Sequence, residues 1–424
     1  MLAAAGMWGY AQFILIPHQQ ADSAERNIPR GNLSDLYPRW LGARELLLHG
    51  RDPYSHDITQ EIQAGYYGRS LDPSRSNDPK DQQAFAYPVY VVFLLAPTVH
   101  LPFSVVRAGF SWILTLVTAA SVPLWFRVMG QRVPRGTQLT WIILLLGSFP
   151  FLQGLKLQQL TLLVCALLAV SALAWTRGWL ILAGILLSVA TIKPQLAAIP
   201  AAWLVVWTLG NWRERQRLFW SLALTTLALV MAGELILPGW IHDFRTAAAD
   251  YWQYTGGGNS VLDTALAPLF GKLAPSFGKL ADLAILTPLA IRAWRLRCEP
   301  AASLSFAWML AVLLAATLVV IPTFAIYNQV LILPALMFIV AGLKDWRQLG
   351  PIRRFLIALA AVALLLPWVA AVSLDLALTV MPRPSVLGLW KLPLATALAV
   401  PLTVLAVIAL CAPAGHQRPK PTAS

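Results

Sequence analysis

A chain of 424 residues that is 58% hydrophobic and only 12% charged, with mean hydropathy +0.64, is not a soluble globule, whose charged share is roughly 25%. The formal charge of +13 would suit a nucleic-acid partner, but Lys and Arg lie in short clusters between apolar stretches, where orientation signals belong. Cys165, Cys298 and Cys411 all lie in or beside apolar stretches, which excludes a disulfide framework.

Apolar segments occupy 2–17, 104–126, 138–152, 159–176, 179–193, 195–210, 218–238, 277–293, 302–322, 328–343, 355–374 and 386–411. Crossing a hydrocarbon core of ~30 Å takes about 20 apolar residues in a helix, and no strand-like alternation appears. The pattern predicts an all-α, polytopic transmembrane bundle of about twelve spans, as a single integral membrane domain. Leu2–Ile16 has no basic leader and no small-residue cleavage site, so it reads as a retained first span. Its missing leading Lys or Arg is in keeping with a start further upstream.

The polar interval from His18 to Gln83 follows. It holds ten of the nineteen Asp and Glu residues: Asp22, Glu25, Asp35, Glu45, Asp52, Asp57, Glu61, Asp72, Asp78 and Asp81. Lipid cannot solvate ionised carboxylates, so their concentration in one loop marks that loop as the place for chemistry. Ser34–Gly50 reads as a short amphipathic helix, with Ser34 or Asp35 capping it, Pro38 in its first turn and Gly50 closing it. Leu36, Trp40, Ala43 and Leu47 share a face suited to the membrane surface. Asp52-Pro53-Tyr54 makes a turn, Asp57–Tyr67 a second short helix, and Leu71–Asp81 a flexible flap. Pro88–Val99 is short for a crossing and reads as a re-entrant or interfacial helix, leaving 18–103 as one extracytoplasmic loop.

Basic clusters at Arg127–Arg135, Arg177, Arg213–Arg217, Arg292–Arg297 and Lys344–Arg354, with the tail 412–424, are expected on the cytoplasmic side. The crossings between them are even in number if two short helices meet at Lys193-Pro194, where proline favours a break. Lys156, Gln159, Lys193, Asn259, Ser260, Tyr327 and Asn328 then fall with the acidic loop on the outer side. Lys193 is costly in an apolar stretch unless it reaches the interface or a partner, and at an outer apex it could neutralise a phosphate. Lys156 is a second such cation. The bland alternative for both is snorkelling to headgroups, for Asp35 a plain helix cap, and for Arg39 and Arg44 a solvated helix face.

The pattern Asp35-x-Tyr37, Ala43, Leu47-x-x-Gly50-x-Asp52-Pro53-Tyr54 and Phe85-x-Tyr87-Pro88 resembles the opening of glycosyltransferase family 87. Phe149-Pro150, Gln159-Leu160-Thr161-Leu162-Leu163, Ala183-Gly184, Ala190-x-x-Lys193-Pro194-Gln195 and Gly258-Asn259-Ser260 continue the likeness, which covers about residues 1–330. The family pattern has Gly-Gln where this chain has Gln158-Gln159. The resemblance implies a GT-C-like fold in a bacterial plasma membrane and an inverting hexosyltransferase with its site outside. The donor would be a polyprenyl-phosphate sugar, mannose being the best-known, and the acceptor a lipid or glycan. It implies Asp35 as catalytic base, Lys193 and Lys156 on the donor phosphate, and Gln159, Asn259, Ser260 and Tyr327 on the substrates.

No cofactor is expected beyond the lipid-linked donor; metal assistance is left open, with no Asp-x-Asp and no zinc-ligand spacing in the sequence. A P-loop is absent. The competing reading is a lipid-linked glycan flippase or transporter, which would place its polar groups at the midplane and show internal repeats. A polysaccharide ligase would carry its large loop later in the chain.

Overall fold

The computed structural model describes residues 1–31, 34–72, 74–254, 259–322, 324–343 and 349–411. The tail expected to be cytoplasmic and the start of the 344–354 basic cluster lie outside the described residues. Among the described residues the chain is all helical, with no strand. It opens with α1 (Leu2–Tyr10), a π-helical turn at Ala11–Leu15 and α2 (Ile16–Glu25), run end to end. The π turn precedes Pro17, whose missing N–H and ring would otherwise break the ladder.

The acidic interval folds into α3 (Leu36–His49) and α4 (His56–Tyr67), followed by irregular chain and the five-residue α5 (Val91–Leu95), which continues into a 3-10 turn, Ala96–Thr98. Gly50 ends α3 in the left-handed region (φ 65), with Gly50 N–H on the Leu46 carbonyl and Arg51 N–H on that of Glu45. Ser55 caps α4, and Asp52 Oδ1 accepts from Tyr54 N–H at 2.9 Å, which makes the Asp-Pro-Tyr turn structural. Arg51 pairs with both Glu45 and Glu61 and so ties α3 to α4.

Two expectations for α3 are corrected. Leu36, Trp40 and Ala43 are buried in protein rather than laid on lipid, because α5 and the following helix supply an apolar partner. Trp40 donates from Nε1 to the Thr98 carbonyl at 3.2 Å and packs 5.3 Å from the Phe103 ring. Nor does the side chain of Asp35 or Ser34 cap α3; both oxygens are used elsewhere.

The apolar remainder comprises α6 (Phe103–Val128), α7 (Arg135–Leu146), α8 (Phe149–Lys156), α9 (Thr161–Thr176), α10 (Leu180–Ala190), α11 (Pro194–Gly210) and α12 (Trp212–Ile236). Then come α13 (Trp240–Tyr254), α14 (Val261–Phe270), α15 (Ala274–Leu296), α16 (Leu304–Val320), a 3-10 segment Ile326–Ile332 and α17 (Leu333–Gly342). The described chain closes with α18 (Pro351–Val380), α19 (Arg383–Gly388) and α20 (Ala399–Leu410). By length and composition five helical stretches can cross a membrane, or six if α7 and α8, bent by 57°, form one span. α9, α10, α11 and α16 are apolar but shorter. The helices around the site pack in a chain: α6 on α9, α9 on α10, α10 on α12, and α11 on α16. The expected break at Lys193-Pro194 is present, with Lys193 extended (φ −121, ψ 82) as the residue before proline requires.

At the far ends of these helices from Lys193, Arg215 locks two loops together. It donates to the carbonyls of Trp207 (2.8 Å), Arg297 (2.7 Å), Cys298 (3.3 Å) and Glu299 (3.1 Å), and its guanidinium lies 3.9 Å from the Trp207 ring centre. Arg215→Met is expected to destabilise the fold by about 2 kcal/mol or more, because several buried carbonyls lose a charged donor. Thermal unfolding in detergent measures this, and an unchanged midpoint contradicts it.

Candidate active site

Three breaks in the helices converge: the lead-in to α3, the turn between α8 and α9, and the turn between α10 and α11. Asp35 sits at the first, Gln159 at the second and Lys193 at the third. The backbone N–H of Asp35 donates to the Leu157 carbonyl at 3.0 Å, which fastens the first loop to the α8–α9 turn. Gln159 Nε2 donates to Asp35 Oδ2, and Gln159 Oε1 accepts from Lys193 Nζ at 2.7 Å. One amide thus links the carboxylate to the ammonium. Lys193 Nζ also donates to Thr161 Oγ1 at 2.8 Å, and Thr161 Oγ1 donates to Asn328 Oδ1 at 3.0 Å, so the 3-10 segment before α17 joins the same network.

Aromatic rings and a second cation surround this line. Lys193 Nζ lies 5.1 Å from the Tyr327 ring centre and 5.7 Å from that of Tyr87. The Arg39 guanidinium lies 4.5 Å from the Tyr87 ring centre, and Arg39 donates to the Asp35 carbonyl one helical turn back. Its Nε is buried without a partner. Arg39 therefore belongs to the site, not to a solvated face. Lys193 is 5% exposed, and neither it nor Lys156 forms a salt bridge among the described residues. Two cations beside one carboxylate and the Gln159, Thr161, Asn328, Tyr87 and Tyr327 side chains suit a polyhydroxylated, phosphate-bearing ligand.

Burial raises the Asp35 carboxyl above the usual aspartate range; Arg39 opposes this, Asp81 adds to it, and the Gln159 hydrogen bond and Lys193 oppose it more weakly. A residue acting as a base must be ionised, so the acid limb of kcat/KM is expected to lie above the ~4 of an ordinary aspartate. Activity should rise with pH through that limb. A limb at or below ~4 contradicts the assignment.

Of the other expected residues, Tyr327 joins these three, and Lys156, Asn259 and Ser260 are not brought together with them. Lys156 Nζ donates to Gln19 Oε1 at 2.6 Å, and the same oxygen accepts from Arg30 at 2.7 Å. Ser260 is the cap of α14, in a reciprocal box with Asp263, and Asn259 is exposed. Arg39, Thr161 and Asn328 were not among the expected site residues. For Arg39 the only sequence signal is its spacing of four from Asp35, which puts both on one side of α3.

Gln158 has a left-handed backbone (φ 49), which glycine adopts freely and other residues at a cost of roughly 1–3 kcal/mol. That explains the Gly-Gln pattern of the resemblance: position 158 is the conformational one, and Gln159 is the residue that faces Asp35 and Lys193. Neither of two cavities in the first loop and the helices beside it has Asp35 or Lys193 in its lining. One, of about 670 Å³, is polar and lies between Ser23–Pro29 and Arg69–Asp78. The other, of about 270 Å³, is a mostly apolar groove between α1–α2, α6 and α8, lined by Trp8, Leu15, Phe149 and Leu152, with Lys156 and Gln158 in its wall.

A family model described as glycosyltransferase family 87 matches residues 85–322. The match takes in Tyr87, Lys156, Gln159, Thr161, Lys193, Asn259 and Ser260; Asp35 and Arg39 precede it, and Tyr327 and Asn328 follow it. No curated protein and no solved structure matches the chain. With more than half of its length in that match, a helical architecture and helices able to cross a membrane, the chain belongs to glycosyltransferase family 87 and is a membrane-embedded glycosyltransferase.

Proposed function

We propose that this enzyme transfers a hexose from a polyprenyl-phosphate sugar to a lipid or glycan acceptor at the outer face of a bacterial plasma membrane, with inversion at the anomeric carbon. One observation carries the reading: the Asp35 carboxylate, freed from capping its own helix, is joined through a single amide to a buried lysine that forms no salt bridge among the described residues. In the proposed step the acceptor hydroxyl attacks the anomeric carbon and gives its proton to Asp35. The bond from that carbon to the phosphate oxygen breaks, and polyprenyl phosphate leaves with the electron pair. Lys193 and Arg39 offset the charge that develops on the leaving oxygen. Attack from the face opposite the leaving group, in a single displacement, gives inversion. Gln159 and Tyr327 are placed to orient the sugar, while Lys156 holds a separate position on the groove side.

The sidedness is part of the proposal. α9 (Thr161–Thr176) starts just after Gln159 and ends just before Arg177, and α11 (Pro194–Gly210) runs from the turn at Lys193 to the loop held by Arg215, so basic residues lie at the helix ends opposite the site. That is the arrangement expected for cytoplasmic positive charge and outward chemistry. A transporter would instead place its polar groups at the midplane.

Purified enzyme in proteoliposomes, offered polyprenyl-phosphate mannose, other polyprenyl-phosphate hexoses and the corresponding nucleotide sugars, tests the donor class. Transfer from a lipid-linked donor with an inverted product is expected. Transfer from nucleotide sugars alone, or with retained configuration, would overturn the reading.

A further inference from the structure

Asp35 is held by the α8–α9 turn and not by its own helix. Ser34 Oγ, the neighbouring hydroxyl that could have capped α3, donates instead to Gln158 Oε1. Gln158 Nε2 donates in turn to the Arg107 carbonyl and to Ser111 Oγ (3.1 Å), both in the first turns of α6. Ser34 is 1% exposed and Gln158 2%, so these bonds are out of competition with water. Every polar atom of the Gln158 side chain has a partner, and the residue that makes these bonds has a left-handed backbone. Glycine would give that backbone conformation without strain and without the bridge. A strained, buried glutamine at such a position is there for its amide.

We propose that Gln158 is a positioning residue. It clamps Ser34, and with it the start of α3, to α6, and so holds the Asp35 carboxylate where Gln159 meets it and links it to Lys193. Asp35 is then fixed from three successive residues of one turn: the Leu157 carbonyl on its backbone, Gln158 on its neighbour, and Gln159 on its carboxylate. Losing the middle contact leaves the other two to swing with the lead-in of α3, and a small misplacement of a catalytic group is felt in turnover.

The inference rests on Asp35 being the base, and the experiment separates the two claims. Wild type, Asp35→Asn, Gln158→Gly, Ser34→Ala and the Ser34→Ala/Gln158→Gly double variant are compared in proteoliposomes with polyprenyl-phosphate mannose, or the polyprenyl-phosphate hexose that wild type uses. Gln158→Gly and Ser34→Ala are each expected to lower kcat about tenfold, with donor KM within about twofold of wild type and the acid limb of kcat displaced. The double variant is expected to be no worse than the poorer single variant, because each single change already breaks the shared Ser34–Gln158 bond. Independent losses that multiply, a kcat within about twofold of wild type, or a loss carried by KM would overturn the proposal. Ser34→Ala decides alone if Gln158→Gly fails to fold. Activity kept in Asp35→Asn overturns the base assignment and this inference together. Activity lost in Asp35→Asn but kept in Gln158→Gly and Ser34→Ala overturns the positioning role only.

Discussion

Lys193→Met is expected to lower kcat by about 10²- to 10³-fold while leaving the enzyme folded. Methionine has nearly the length of lysine and removes a charge that is costly to bury, so packing between α9, α10 and α11 should survive. What disappears is the ammonium that meets the departing phosphate. The interaction strengthens as the bond to the anomeric carbon breaks, so the loss falls on kcat more than on donor KM. Gln159 and Thr161 each lose one donor, but Gln159 keeps its bond to Asp35 and Thr161 keeps its bond to Asn328. Steady-state kinetics with a lipid-linked donor decides the matter; a kcat within about threefold of wild type would show that Lys193 only snorkels.

Asp35→Asn carries the other large effect, a loss of about 10²- to 10⁴-fold in kcat, the usual range for a positioned general base. Its effect on stability has the opposite sign. The folded-state pKa of Asp35 is raised, so the folded chain holds this proton more tightly than the unfolded chain does. Stability from this group is therefore present below the unfolded pKa, ~3.9, and is lost as pH rises through the higher folded value. At neutral pH the ionised carboxylate destabilises the fold, and asparagine, which still accepts from Gln159, relieves that cost. The thermal midpoint of Asp35→Asn at neutral pH is expected to equal or exceed that of wild type. An inactive variant that is also less stable would point to a structural role instead.

Much of this arrangement was legible in the sequence. Pro38 and Gly50 bracket α3 to within two residues, and Lys193-Pro194 marks a break that the backbone geometry requires. The solitary lysine stood out because an apolar stretch cannot hold a charge without a reason. The link from Asp35 through Gln159 to Lys193 was not legible, because its two steps join residues 124 and 34 positions apart at three separate helix ends. Arg39 was misread for a related reason. A polar residue on a short helix in a loop is ordinarily solvated, and only the packing of α3 onto α5 and α6 turns that face inward. The same packing removed the expected membrane-surface role of Leu36, Trp40 and Ala43. Ser260 resembled a substrate ligand by its neighbours, yet Asp263 three positions later is the signature of a capping box, and that local role is the one it performs. The left-handed backbone at Gln158 could not be inferred from its side chain, since glutamine carries no preference for it.

The central claim is that Asp35 takes the acceptor proton while Lys193 meets the leaving phosphate. Single-turnover transfer from a polyprenyl-phosphate hexose, at saturating donor and across pH, measures this directly for wild type and Asp35→Asn. The account predicts a wild-type rate that rises with pH through a limb above ~4, and an Asp35→Asn rate at least about 10²-fold lower with that limb gone. An Asp35→Asn rate equal to wild type, with the same pH dependence, would contradict it.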